Sequence, residues 1–553
     1  MSRYKGFSAV EFRKPERSKF DLSHERKLST RMGKLVPINV MEVLPNDTVR
    51  LNSEVMLRLA PILAPIYHDV SVFVHHFYVP HRILYKDWEK FITHGRLGTE
   101  TPPVPPYLPL DELLINQGGG EYLSMVDIGS LGDFLELNPI PVDSVPDWLN
   151  DGLAEDVHLS ALPFAAYQRI WYDYYRDRNY IEDKEDLFPL PSGDVTVHLG
   201  SNGFGIPSFV GIKNRAWRHD YFTSALPWTQ RGDEVLMPLA GNASWTYKDV
   251  AQVTKDGEPW NAFTVLGTSG SSNLQDVDGT GTDQLGLDNI DDIELTSSSV
   301  SINDLRSAIR LQEWMEKSAV AGSRLNETIL AHFARKTSDG RLQRAEYLGG
   351  GRVKVKISEV MTTAYSYDVE SNIVPPGNMV GRGMAYNSRN RIIYNCEEWG
   401  FVISIMSVMP EPAYMQGSNR MWFDRETFLQ YPWPSFAHLG EQEVYKYEIY
   451  TDPTTVKKAS EPDETPIFGY QSRYADWKYK YSTVHGDFRT SLDFWHLAQK
   501  FSSAPSLGAN FVTFPDALQD RIFAVSEVDT LWCLIYNNVT VSRSLPYYGK
   551  PTI

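Results

Sequence analysis

Short runs crowded with β-branched and aromatic residues set the pattern of this chain. The clearest is Asp69–Pro80, DVSVFVHHFYVP. Its length and composition favour a strand over a helix. Successive side chains of a strand point to opposite faces, so Val70, Val72 and Val74 share one side and Phe73, Phe77 and Val79 the other. Both sides are apolar, which predicts a strand covered on both faces. Val353–Ile357 (VKVKI) alternates and predicts a half-exposed strand. Trp399–Met409 (WGFVISIMSVM) and Leu531–Val541 (LWCLIYNNVTV) are continuous apolar runs and predict further strands. These segments lie far apart in the chain. A sheet assembled from them needs long connections, as in a β-sandwich whose loops have been expanded.

Helical spacing is scarce. Ser301-Ile-Asn-Asp304 resembles a capping box, and Leu305, Ala308, Ile309, Gln312 and Met315 then keep helical periodicity to about Lys317, with Gly322 as a stop. Asn326–Ala334 fits a second short helix, and Tyr167–Tyr175 (YQRIWYDYY) a short aromatic one. The connections are rich in turn formers. Thr101–Pro109 is proline-rich and extended, and Gly267–Thr282 (GTSGSSNLQDVDGTGT) has low complexity and few apolar anchors.

Composition adds little to this picture until it is divided along the chain. There are 553 residues, 42% of them hydrophobic, with 38 Gly and 34 Pro, enough for a large buried core broken by many turns. The formal net charge of −17 argues against a generic nucleic-acid binder. Residues 1–34, however, carry ten basic residues against four acidic ones, a net of +6, so the remainder is −23. This head interleaves Arg3, Lys5, Arg13, Lys14, Arg17 and Lys19 with Tyr4, Phe7, Phe12 and Phe20. Phosphate neutralisation plus base stacking is how single strands are held without sequence preference. A solvated arm packed on a neighbour has the same composition. Residues 232–302 carry twelve acidic and two basic residues, and read as a solvated excursion from the body. Only two cysteines are present, Cys396 and Cys533, so no disulfide framework is expected and a reducing compartment is the simpler setting. No secretory signal and no membrane span are expected.

A search for catalytic chemistry finds little. The chain lacks G-x-S-x-G, GxxxxGK[ST] and HExxH, and Gly203-Phe-Gly205 lacks the third glycine of a dinucleotide loop. His75 and His76 are neighbours on a predicted strand and point to opposite faces, so one ion is out of reach of both. They read as satisfied core or interface histidines. Glu397-Glu398 and Asp291-Asp292 read as solvated or capping carboxylates. No cofactor, metal or enzymatic activity is expected.

Several segments together resemble the major capsid proteins of the Microviridae, small tail-less phages with circular single-stranded DNA, and within them the gokushovirus branch. They are Met41–Asn52 (MEVLPNDTVRLN), Pro61–Gly95 with YVPHRILYKDWEKF inside it, and Ala225-Leu-Pro-Trp228. Asn303-Asp-Leu-Arg306 with Leu311-Gln312, and Leu342–Gly351, follow. Trp399–Gln416, Phe468–Tyr474 and Leu492–Phe501 continue the likeness, and the ending Leu545–Pro551 (LPYYGKP) departs slightly from the usual M-P-x-Y-G-x-P. The order and number of these segments carry the resemblance, which spans most of the chain.

The resemblance implies a mainly β fold: a single eight-stranded antiparallel jelly roll of the viral capsid type, with large inserted loops and a few short helices. It implies sixty copies in a T=1 icosahedral shell around a single-stranded DNA genome. It also implies an internal scaffolding protein during assembly, a small DNA-packaging protein, and a virion assembled in the host bacterial cytoplasm. The expected organisation is a basic, interior-facing arm at 1–34 and a discontinuous capsid domain at 35–553. Within that domain lie an acidic surface protrusion at 232–302 and a helical segment at 303–336. Charge supports this orientation, because DNA attracts the head and repels the insertion. Asp276, Asp278, Asp283 and Asp288 are the expected outward residues for meeting a host receptor. Two other readings remain open on the residues alone: a minor or spike protein of the same virus, and a jelly-roll carbohydrate-binding protein with an aromatic cleft.

Overall fold

The computed structural model describes residues 16–93, 101–118, 121–140, 143, 145–150, 153–182, 184–232, 243–255, 258–259, 263–268, 271–276, 285–295, 302–321, 325–334, 338–361, 366–367, 373–374, 379–456, 465–525 and 528–548. The chain forms two units, residues 1–229 with 323–553, and residues 230–322. It is mainly β, with several antiparallel sheets and few helices.

Eleven strands of the larger unit make its two main sheets among the described residues. They are β1 (Ser18–Asp21), β2 (His24–Thr30), β3 (Val36–Val43), β4 (Thr48–Leu59), β5 (Val70–Pro80), β6 (Glu346–Lys354), β7 (Lys356–Met361), β8 (Met379–Asn387), β9 (Ile392–Asn395), β10 (Gly400–Pro410) and β11 (Leu531–Arg543). One sheet runs β1–β11–β4–β8–β7, with β2 also paired to β11 and β9 to β4. The other runs β6–β5–β10–β3.

The packing follows from the side-chain pattern. Val70, Val72 and Val74 of β5 meet Leu57 and Leu59 of β4 and Cys533 and Ile535 of β11 in one core between the sheets. Phe77 and Val79, on the opposite face of β5, pack with Phe164, Ala165, Tyr167 and Ile170 of the helix Leu162–Ile170. The four-stranded sheet is therefore covered on both sides, as its apolar faces predict, and β10 is buried along its whole length. The seven-stranded sheet is covered on one side only, so β11 alternates buried and exposed residues almost to its end. The turn between β3 and β4 is fixed chemically. Asn46 takes a left-handed backbone (φ 70°), and the fully buried Asp47 carboxylate accepts from Leu44 N–H at 3.0 Å and from Arg543 Nε at 2.8 Å.

A third core gathers Tyr221, Phe222, Tyr414, Val444, Phe468 and Phe511. Beside it lies a buried ionic group. Arg420 Nε is 2.7 Å from Asp424, and Tyr221 donates its hydroxyl to Glu448 at 2.9 Å.

Several sequence expectations need correction. Residues 18–30, assigned to the basic arm, are built into the sheet, with His24–Thr30 laddered on β11 from Asn537 to Leu531. Alternation in β2 is carried by Leu28 and Thr30 alone, and the run of charged and titratable residues before them, His24 to Lys27, conceals it. Val353–Ile357 is not one strand. β6 ends at Lys354 and β7 begins at Lys356 in the other sheet, with Val355 N–H donating to Val70 O at 2.8 Å where the chain crosses. Helix is more extensive than expected, since Ile302–Ala321 has 20 residues and starts before Leu305. Tyr167–Tyr175 is the end of an α-helix followed by a π-turn at Trp171–Tyr175.

The smaller unit is also regular. Ala243–Lys255 pairs with Leu285–Leu295 and with Glu258–Pro259, and Phe263–Thr268 with Ser271–Asp276. The last of these strands falls inside the low-complexity stretch, because a hairpin ladder needs only backbone donors and acceptors.

Candidate assembly and nucleic-acid interface

Of the six cations proposed from the head, Arg3, Lys5, Arg13 and Lys14 lie outside the described residues. Arg17 is engaged within the fold. Its Nη2 donates to Asn46 O at 2.7 Å and to Thr48 Oγ1 and Ser542 O at 3.1 Å, which ties the start of β1 to β4 and β11. Lys19 stands exposed on β1 opposite Ser542. Phe20 stacks on Tyr547, ring centres 5.8 Å apart, so this aromatic of the head is a packing residue here. Arg26 turns into the protein, donating to Phe134 O at 2.8 Å and pairing with Glu136 at 3.2 Å, and Arg31 pairs with Asp520.

Of the acidic residues proposed in the insertion, Asp278 and Asp283 lie outside the described residues. Asp276 pairs in register with Phe263, and Asp288 with Gln252. They stand on different pairs of strands.

Two large surfaces of the main unit escaped the sequence reading. The first spans the short turns from Arg420 to Phe436 and the helical turn Ala475–Lys478. It exposes Trp422 (72%), Phe428 (66%), Trp433, Leu439, Trp477 and Tyr479. Beneath it Arg420 is paired with Asp424, and Arg425 with Asp476 at 2.5 Å. Both of these arginines are thus neutralised. Full burial raises the Glu448 carboxyl to about 7, against the pull of Arg420, the Tyr445 N–H and the Tyr221 hydroxyl.

The second is the uncovered side of the seven-stranded sheet. Register places Trp532 opposite Arg58, Leu534 opposite Met56 and Lys27, and Tyr536 opposite Glu54 and Glu25. Beyond β4, Met384 faces Arg58 and Tyr386 faces Met56, while Ile393 faces Arg50. In a continuous apolar run, strand periodicity does not reveal which face is bare. β11 is therefore legible in the sequence, but its exposed row is not.

His75 and His76 point to opposite faces of β5, as expected. His76 is fully buried, with Nδ1 2.7 Å from Ser404 Oγ and Nε2 3.0 Å from Asn390 O, while His75 Nδ1 is 2.7 Å from the Tyr175 hydroxyl. Burial holds both rings down to about 4, so both are neutral at neutral pH. Gly203 and Gly205 have positive φ (62° and 73°) in a turn before the five-residue helix Ile206–Val210. Among the described residues, no three His, Cys, Asp or Glu side chains gather as metal ligands would, and no helix is long and apolar enough to cross a membrane.

The chain matches the family described as "Capsid protein (F protein)" over residues 8–120 and 149–553. It is 33% identical to Capsid protein VP1 of Chlamydia phage 1, covering 99% of this chain and 97% of that protein. It is 30% identical to Capsid protein VP1 of Bdellovibrio phage phiMH2K, over 90% and 87% of the two chains. Capsid protein VP1 of Spiroplasma virus 4 is 27% identical over 97% and 95%.

Proposed function

The chain belongs to the phage capsid protein (F protein) family, and on that premise we propose that sixty copies close into a T=1 shell around a single-stranded DNA genome. The observation that carries this reading is the 33% identity to a VP1 capsid protein along 99% of the chain. A role in a shell is structural, and family membership places the protein in a virion.

The fold reading is a capsid jelly roll. Its support is the strand order: β2–β11–β4–β8 in one sheet and β3–β10–β5–β6 in the other. Eight strands then alternate between the sheets by pairs as a double Greek key requires, with β1, β7 and β9 as additions. In this reading β2 is the first jelly-roll strand, and the free basic arm is shorter than 34 residues.

The exposed aromatic surface around Trp422 and Phe428 is the contact with a second copy. A monomer gains nothing from exposing such rings, whereas a closed lattice buries them, and interface cores favour aromatics over unpaired charge. The remaining basic head faces the genome, and residues 232–302 form an outward protrusion that meets the host cell. A scaffolding protein and a small DNA-packaging protein act during assembly in the host cytoplasm.

Negative-stain microscopy of the purified protein tests the central claim. Uniform closed shells are expected from the parent, and folded, soluble subunits without shells from Trp422→Ser combined with Phe428→Ser. Parent protein that stays monomeric in the presence of its scaffolding partner sinks the shell reading. Normal shells from the double variant sink the assignment of the contact.

A further inference from the structure

We infer that the uncovered face of the seven-stranded sheet is a platform for single-stranded nucleic acid, with Trp532 as its stacking centre and Arg58 and Lys27 as its nearest phosphate contacts. This rests on the reading that the shell encloses single-stranded DNA, and it adds the surface on which that strand lies.

The charge on this face is the first ground. By register, the outward side chains of the sheet include Lys19, Lys27, Arg50, Arg58, Lys356 and Arg382 against Asp21, Glu25 and Glu54. Six cations against three anions stand out in a chain whose total is −17. Lys27, Arg50, Arg58, Lys356 and Arg382 form no ion pair among the described residues. Unpaired cations gathered on one face of an acidic protein are the electrostatic footprint of a polyanion site. On the aromatic surface around Trp422, by contrast, Arg420 and Arg425 are paired with carboxylates.

The second ground is the aromatic geometry. Trp532 is 46% exposed and Tyr386 57%. Neither ring swings freely. Trp532 Nε1 donates to Asp529 O at 3.1 Å, and the Tyr386 hydroxyl donates to Glu54 at 2.7 Å. Their polar atoms are satisfied while their π-faces remain available, and the Tyr386 contact occupies one of the three anions. A groove of 590 Å³ runs past Trp532 and is lined by Lys27, Ser29, Met56, Arg58 and Leu534. Base stacking tolerates any sequence because every base has a π-face.

The third ground is spacing. Adjacent strands lie ~5 Å apart, so Arg58, directly opposite Trp532 on β4, lies at roughly 5 Å, while Lys27, opposite Leu534 on the other side of β11, is a diagonal neighbour at roughly 7–8 Å. A base on the indole leaves its own and the next phosphate within reach of these flexible cations. A second copy docked face to face fits less well, because covering its unpaired Lys and Arg requires matching carboxylates, and this face itself offers only Asp21, Glu25 and Glu54.

The test uses intact particles and the purified full chain. Ultraviolet crosslinking of DNA-containing particles, followed by peptide mass spectrometry, is expected to attach nucleotides within Thr48–Leu59 and Leu531–Arg543, with Trp532 among the modified residues. Trp532→Leu combined with Arg58→Gln keeps the apolar strand pattern. It is expected to weaken binding of an oligo(dT) strand by the purified chain by about tenfold or more, with a flatter salt dependence. DNA-filled particles crosslinked only at other segments overturn the proposal and leave the genome reading standing. Particles that never contain nucleic acid overturn the genome reading and this proposal with it. If the face is protected from hydrogen exchange in DNA-free shells, and the double variant binds oligo(dT) as the parent does but forms no shells, the occupant is a second copy and the proposal is wrong.

Discussion

Acidification is expected to unfold this protein through its buried histidines, and His76→Asn isolates the effect. His76 titrates near 6.5 when unfolded, while in the fold burial holds it at about 4. Between those values the unfolded chain takes up a proton that the folded chain refuses. The stabilisation is therefore complete above pH 6.5 and is lost as pH falls toward 4. At pH 5 the loss for one such group is about 2 kcal/mol. His68, His75 and His81 are held to about 4 by the same burial. Four groups thus remove on the order of 8 kcal/mol, a large share of the stability of an ordinary domain. Glu448 works in the opposite sense. Its folded value of about 7 lies above the ordinary 4.5, so protonation between those limits favours the fold by about 2 kcal/mol at pH 5 relative to pH 7. The assay is the unfolding free energy from denaturant titrations of the dissociated subunit at pH 7 and pH 5. His76→Asn is expected to be less stable than the parent at pH 7, by about 1 kcal/mol or more, because Ser404 and the Asn390 carbonyl lose their ring partner. Its loss between pH 7 and pH 5 is expected to be about 2 kcal/mol smaller than the parent's. An equal loss in both proteins refutes the reasoning.

Two further expectations concern the turn at Asp47 and the insertion. Asp47→Ala strands Arg543 and the Leu44 N–H, and is expected to cost about 3 kcal/mol in the same titration; a change below half that value means the pair is dispensable. Removing 232–299, the part of the smaller unit that holds its strand pairs, is expected to leave shells visible by microscopy while adsorption to host cells falls at least tenfold. Loss of shells, or shells that adsorb to host cells normally, counts against the outward placement.

Much of the sandwich was legible because its central strands are built from nearly continuous apolar residues. β5, β10 and β11 announce themselves as apolar runs of strand length, and the two faces of β5 were assigned correctly from alternation alone. β2 was not legible, since HERKLST offers only Leu28 and Thr30 to a period-two pattern among four charged or titratable side chains. The crossing at Val355 was hidden for a related reason: VKVKI alternates through a point where the strand changes sheet, and sequence period carries no record of the partner. Surfaces were the least legible. Trp422 and Trp532 look in sequence like any core tryptophan, and only register and burial separate them from the buried Trp217. Arg17 illustrates the converse, a head cation whose donors are occupied by carbonyls of β-strand ends.

The pairing of β4 with β11 has a consequence for how the protein is made. Leu59 waits for Leu531, so about 470 positions must be translated before this ladder can close, a delay of roughly half a minute to a minute and a half at ordinary bacterial rates. During that interval Val55, Leu57 and Leu59 on β4, and Leu28 on β2, have no central strand to lie against. The nascent chain is then an unfinished sheet with open edges on a polysome crowded with identical copies. A ribosome-associated chaperone, or a strand-capping partner supplied in the same burst of synthesis, would govern the yield of usable subunits more strongly than the stability of the finished fold.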